Sequence, residues 1–218
     1  MRKRMLFLLC ILIVFTFTAC GNPKENNNDD ISTKGSDSKG TASQEKLVTD
    51  EPKSEEKMGK KSSTAVVFFS ATGTTKEVAG ILAGVLETDA VEIIPKEAYS
   101  SDDLDYSNDN CRANKEMNDD DSRPGIKNDL SVIKECGTVY IGYPIWWGTA
   151  PRIIQTFFET YDFSGKTVYL FCTSGGSGIE QSVQDLQEKY KNVNIVSARR
   201  FSEGVSEEEI REWLEKLK

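Results

Sequence analysis

Thr64-Ala65-Val66-Val67-Phe68-Phe69-Ser70-Ala71-Thr72-Gly73-Thr74-Thr75 is the stretch that decides the fold. Its first half is a short apolar run of β-formers, the pattern of a strand buried on both faces. Its second half breaks into a turn of hydroxyls around one glycine. Beyond it, Val78, Ile81, Leu82, Val85 and Leu86 fall along one face at helical spacing. Strand, tight turn and amphipathic helix together make the opening of a βαβ unit.

The same alternation continues to the end of the chain. Val91 to Ile94, Thr138 to Gly142, Thr167 to Cys172 and Val193 to Val196 read as four further short strands. Between them lie helical patterns: Ile153, Ile154, Phe157, Phe158 and Tyr161, then Ile179, Val183, Leu186 and Tyr190. A last helix carries Ile210, Trp213, Leu214 and Leu217, and a weaker one is expected near Ile126 to Cys136. Strands alternating with helices at this spacing imply right-handed crossovers and a parallel, doubly wound sheet. The fold class is therefore α/β, a three-layer sandwich around five parallel strands over residues 64–218.

In such sheets ligands bind beyond the carboxyl ends of the strands, where the strand order reverses. Ser70, Thr72, Gly73, Thr74 and Thr75 occupy that place after the first strand. They supply hydroxyls, a glycine that lets backbone approach an anion, and the amides that open a helix. Helix capping is the plainer reading of such a turn. Pro144-Ile145-Trp146-Trp147-Gly148 follows the third strand, and two adjacent tryptophans suit a wall for a flat aromatic ligand. At least one of them is expected to cap the core instead. Ser174-Gly175-Gly176-Ser177-Gly178 follows the fourth strand and leaves backbone amides exposed, although glycine-rich turns are common.

Ser-x-Thr-Gly-Thr-Thr after a first strand resembles the phosphate loop of the flavodoxin-like family. The pattern lacks the Gly-Lys-[Ser/Thr] of a Walker loop and the spacing of Gly-x-Gly-x-x-Gly. The resemblance covers nearly all of 64–218 and implies a strand order of 2-1-3-4-5, which converges the three loops on one site. It implies FMN as cofactor, with the first loop on its phosphate. Backbone near Ile145 to Gly148 would meet the flavin N5 and O4 edge, and the third loop its pyrimidine edge. Tyr106, Arg112-Ala113, Glu116 and Arg123-Pro124 resemble an insertion found in one branch of the family. Arg112 is thereby a candidate for an anionic substrate or the flavin edge, and a solvated loop is the alternative for 100–125. The third loop lacks the aromatic residue usual in short-chain electron carriers, so one flavin face is open unless Tyr99 or Tyr106 covers it.

Ahead of the domain, Met1-Arg2-Lys3-Arg4 and the apolar run Leu6 to Phe17 read as a signal peptide over 1–19. The run is shorter than the roughly 20 residues a membrane-spanning helix needs. Phe17-Thr18-Ala19-Cys20-Gly21 resembles a bacterial lipobox, which implies lipidation at Cys20 and a protein held on the extracytoplasmic face of the cell membrane. An ordinary signal peptide with an incidental cysteine is the alternative. No twin-arginine pattern is present, so the chain is expected to cross the membrane unfolded and take up its cofactor outside. Residues 20–63 are polar and read as a tether, about 35–40 Å in r.m.s. span for a flexible chain of this length.

Composition narrows the chemistry. The 218 residues include no histidine and carry a formal net charge of −8. Triads, Cys-His pairs and imidazole metal sites are therefore excluded, and an acidic balance argues against nucleic acid as a partner. No metal site is expected. After processing, Cys111, Cys136 and Cys172 remain, an odd number with no CxxC pair. Cys172 reads as a core residue, and a Cys111–Cys136 bridge is open. The expected function is FMN-dependent electron transfer, to a quinone or another small acceptor, with the acidic surface lowering the flavin potential. Binding or scavenging of FMN without turnover is the alternative, and a flavin-free interaction domain a more distant one.

Overall fold

A computed structural model describes residues 63–218. The expected signal peptide, Cys20 and the tether up to residue 62 lie outside the described residues. Five strands form one fully parallel sheet: β1 (Thr64–Phe68), β2 (Ala90–Glu92), β3 (Thr138–Pro144), β4 (Thr167–Thr173) and β5 (Asn194–Phe201), in the order β2-β1-β3-β4-β5. This is the expected doubly wound architecture with the reversal beside β1. Helices α1 (Thr74–Val85), α2 (Arg112–Asn118), α3 (Arg152–Thr160), α4 (Glu180–Lys189) and α5 (Glu207–Glu215) complete it. Among the described residues no helix is long and apolar enough to cross a membrane.

Alternation along the strands builds two cores. Val66 and Phe68 of β1 meet Val78, Ala79 and Leu82 of α1 and Ile210 and Trp213 of α5 on one face. Ala65, Val67 and Phe69 meet residues of α2, α3 and α4 on the other. The central strands are thus apolar at consecutive positions, which is why they read so clearly in sequence. Gly142 of β3 sits in register with Phe171 of β4, and the Phe171 ring lies across it. A Cβ at 142 would fall 2.1 Å from that ring.

Three expectations need correction. The strand expected at Val193–Val196 runs on to Phe201, and its register against β4 slips between Val168 and Tyr169. The extra residue, exposed Val196, turns the strand over, so that Ile195 joins the α4 side while Phe201 joins the α5 side. The strand expected at Val91–Ile94 stops at Glu92, where Asn128 takes over: it accepts from the Ile94 amide and donates to the Glu92 carbonyl. The helix expected near Ile126–Cys136 is only a 3-10 turn over Ser131–Glu135. The helix instead forms earlier, as α2, in the segment read as an insertion or solvated loop.

Candidate functional site

A cleft of about 430 Å³ opens beyond the carboxyl ends of β1, β3, β4 and β5. Its floor is the first loop. Gly73 is the residue before α1, and its φ of +102° is a left-handed conformation that favours glycine. The Gly73 amide donates to Ser70 Oγ at 3.1 Å, so that hydroxyl shapes the turn. No side chain caps α1. Its first-turn amides therefore have no side-chain acceptor, and the helix dipole adds partial positive charge there. Thr72 and Thr74 line the cleft beside Ala71. Thr75 does not: it is buried, and its hydroxyl shares a 2.7 Å hydrogen bond with Thr173 Oγ1 at the end of β4. Lys76 pairs with Glu92 at 3.1 Å. The floor thus offers amides and hydroxyls, and no ammonium group.

The second loop forms one wall. Pro144, Ile145 and Trp146 line the cleft. Trp146 and Thr149 exchange two backbone hydrogen bonds of 3.0 Å across the pair Trp147-Gly148. Both central residues have positive φ, 48° and 81°, as a type I′ turn requires. Glycine accepts this freely, but a non-glycine residue gives up about 1–2 kcal/mol to adopt it. The turn parts the two tryptophans. Trp146 is 4% exposed and packs edge-on against Phe69 and Tyr99. Trp147 is 47% exposed and meets Tyr106 edge-on, with ring centres 5.1 Å apart. With Ile145 and Trp146, these two exposed rings line an adjoining lobe of about 260 Å³.

The third loop closes the other side. Ser174 and Gly175 line the cleft with Thr173, and the Ile145 amide donates to the Thr173 carbonyl at 3.0 Å, tying the two loops. Ser174 Oγ accepts from the Gly176 amide. Neither Gly176 nor Gly178 lines the cleft, and at Gly178 a Cβ would lie 1.9 Å from the Glu180 carboxylate. That glycine makes room for the start of α4. Gly73, Gly148, Ser70 and Thr75 likewise shape the loops from outside the cleft wall.

Of the two tyrosines considered as a cover, Tyr106 lines the cleft, from the 93–111 segment. Tyr99 instead stands behind Trp146. Its hydroxyl donates to Glu116 at 2.5 Å, and burial, reinforced by Glu116, drives its pKa far up. Arg112, a candidate for an anionic ligand, is engaged elsewhere: Nε binds Glu116 at 2.6 Å, Nη1 donates to the Glu97 carbonyl, and the guanidinium lies 4.1 Å from the Tyr99 ring centre. Burial lowers its pKa, but the Glu116 bond and neighbouring negative charge outweigh that and hold it above the ordinary value. This trio buttresses the Trp146 wall.

Sequence reasoning missed Arg200, Ser202 and Glu203, which line the cleft from the end of β5. Only a correct end to β5 could have found them. Below the third loop Cys172 is fully buried, and burial, only partly opposed by the Arg200 charge, pushes its thiol up to about 12. Cys111 is a free thiol whose sulfur accepts from the Asn114 amide, and Cys136 donates to the Val132 carbonyl. The bridge left open between them does not form.

Residues 63–217 match the family model described as flavodoxin, and the chain belongs to the flavodoxin family. Among solved structures, a candidate flavoprotein of Bacteroides eggerthii is 43% identical, with a TM-score of 0.68, over 70% of this chain and 96% of its own. A candidate flavoprotein of Bacteroides uniformis is 42% identical, with a TM-score of 0.68, over 71% of this chain and 98% of its own. A Lactobacillus acidophilus flavoprotein in complex with FMN is 20% identical, with a TM-score of 0.50, over 69% of this chain and 97% of its own; it shares the fold. Among curated proteins none matches.

Proposed function

We propose that the cleft binds FMN and that the protein is a redox protein anchored by lipid at the outer face of the cell membrane. The observation that carries the first part is the uncapped start of α1 opening onto a cleft with one aromatic and one amide-rich wall. A phosphate dianion suits the α1 amides and the hydroxyls of Thr72 and Thr74. A flat ring suits the side of the cleft lined by Ile145, Trp146 and Tyr106. The amides of the third loop suit the ring's polar pyrimidine edge, and the aromatic lobe its apolar end. FMN, when bound, supplies one- and two-electron transfer. The chain's own groups position it and exclude water. The partly open lobe leaves room for a small acceptor such as a quinone.

Anchoring rests on the sequence of the first 20 residues, with Thr18-Ala19-Cys20 as the processing site. Membrane attachment at Cys20 would tether the domain to the membrane, with residues 20–63 holding it clear of the lipid headgroups. Binding of FMN without turnover is the second reading.

Protein lacking the first 20 residues, mixed with FMN and then reduced without oxygen, tests the cofactor and the chemistry together. Quenched flavin fluorescence followed by reoxidation with a quinone is the expected result. Quenching without reoxidation would favour storage or scavenging, and a folded protein that leaves FMN fluorescent would remove the proposal. Metabolic labelling with a fatty acid, lost in Cys20→Ser, tests the anchor.

A further inference from the structure

Arginines elsewhere in the domain have partners. Arg112 pairs with Glu116, Arg123 with Glu159, Arg152 with Asp120 and Arg211 with Glu207, while Arg199 lies over the Phe201 ring. Arg200 has no carboxylate within salt-bridge distance among the described residues. Its one hydrogen bond there is a long 3.5 Å contact to Ser202 Oγ. An unneutralised guanidinium is unexpected on a chain of net charge −8. It lines the cleft, and no other cationic side chain does.

Its position follows from the bulge in β5. The slip at Val196 puts Arg200 in register with Cys172, and so beside the strand end that leads into Thr173, Ser174 and Gly175. The charge therefore stands at the third-loop side of the cleft. One carboxylate, Glu203, also lines the cleft, but beyond salt-bridge distance of Arg200.

We infer that Arg200 is the cationic wall of the flavin site, set to balance the negative charge that the pyrimidine part of the ring gains on reduction. The inference rests on the proposed function, in which the third loop meets that edge. Two electrons and one proton entering a neutral isoalloxazine ring leave one net negative charge, centred on N1 and the neighbouring C2 carbonyl. The electrons come from an external low-potential reductant. A cation at that edge binds the reduced ring better than the oxidised one and raises the potential. The effect opposes that of the acidic surface, and it acts at short range where salt screens it less.

Arg200 and Glu203 are both exposed, so their variants should keep the fold. The test uses the full-length protein, with dye-referenced anaerobic reduction and fluorescence titration with FMN and with riboflavin. Arg200→Gln should bind oxidised FMN within about twofold of wild type. It should lose about tenfold in its preference for the reduced form, a fall of about 30 mV for a two-electron couple. Arg200→Lys should restore most of this, and Glu203→Gln should shift the potential upward. An unchanged potential in Arg200→Gln would overturn the inference alone. A loss of FMN affinity with riboflavin affinity intact would also overturn it, placing Arg200 on the phosphate. A wild-type protein that binds no flavin would overturn the proposed function first.

Discussion

Helices α1 and α5 lie on the same face of the sheet, yet they begin in opposite ways. At α5, Ser206 Oγ accepts from the Glu209 amide at 3.2 Å, and the Glu209 carboxylate accepts from the Ser206 amide at 3.1 Å. Glu207 and Glu208 add negative charge in the same turn. At α1 the equivalent place holds left-handed Gly73 with no side-chain cap, followed by two threonines. Both helices face the same difficulty, amides with no partner inside the helix. In α5 the chain answers it with its own carboxylates. In α1 it leaves the answer open toward the cleft.

Glu77 in the first turn of α1 caps none of its opening amides, so the most direct way to break this contrast is to place a carboxylate at the very start of the helix. Thr74→Asp places an anion in the first turn, where it meets the amides proposed for phosphate. FMN affinity should fall at least about a hundredfold, while the flavin-free protein gains about 0.3–1 kcal/mol from the helix dipole. Titration by flavin fluorescence and thermal unfolding would read the two effects, and retained affinity would refute the assignment of the phosphate.

Gly73→Ala probes the backbone rather than the charge. Nothing lies within 4 Å of the added Cβ, so the loss is conformational. Stability should drop by about 1–2 kcal/mol, with roughly tenfold weaker FMN binding as the turn relaxes. Denaturant unfolding checks the first number.

Ser206→Ala is the converse test at α5. It should lose about 1 kcal/mol of stability and leave FMN affinity where it was. A change in affinity would mean that the two termini are coupled.

The smallest expected effect concerns Cys172, which touches neither terminus. An ordinary thiol ionises near 9, and burial pushes this one up to about 12. Between those values the folded protein keeps a proton that the unfolded chain releases, so this group's contribution to stability declines as pH rises through that window. Native protein should resist alkylation at Cys172 at pH 9.5, with labelling appearing only on unfolding; mass spectrometry would show it.

What sequence reveals of the molecule follows the same division between inward and outward answers. The buried strands were legible because both faces are apolar, and the first loop because glycine and hydroxyls cluster where a strand must end. Helix α2 was not legible: Arg112-Ala-Asn-Lys-Glu-Met-Asn118 buries only Ala113, Asn114 and Met117, too few to show a period. The second half of β5 was hidden by its bulge, after which Ser197 to Arg200 carry no apolar alternation. With it went Arg200, Ser202 and Glu203. Roles set by partners far along the chain were also out of reach. The Thr75 hydroxyl bonds Thr173, 98 positions along the chain, and Arg112 is held between Glu116 and Tyr99.

The close approach of Gly142 and Phe171 bears on how this sequence can change over generations. The ring occupies the volume that any side chain at 142 would need, so neither position can drift alone. A lineage that acquires alanine or serine at 142 while Phe171 remains meets a clash, and one that shrinks residue 171 while Gly142 remains leaves a void. Among descendants of a common ancestor the two sites should therefore vary as a pair, and rarely.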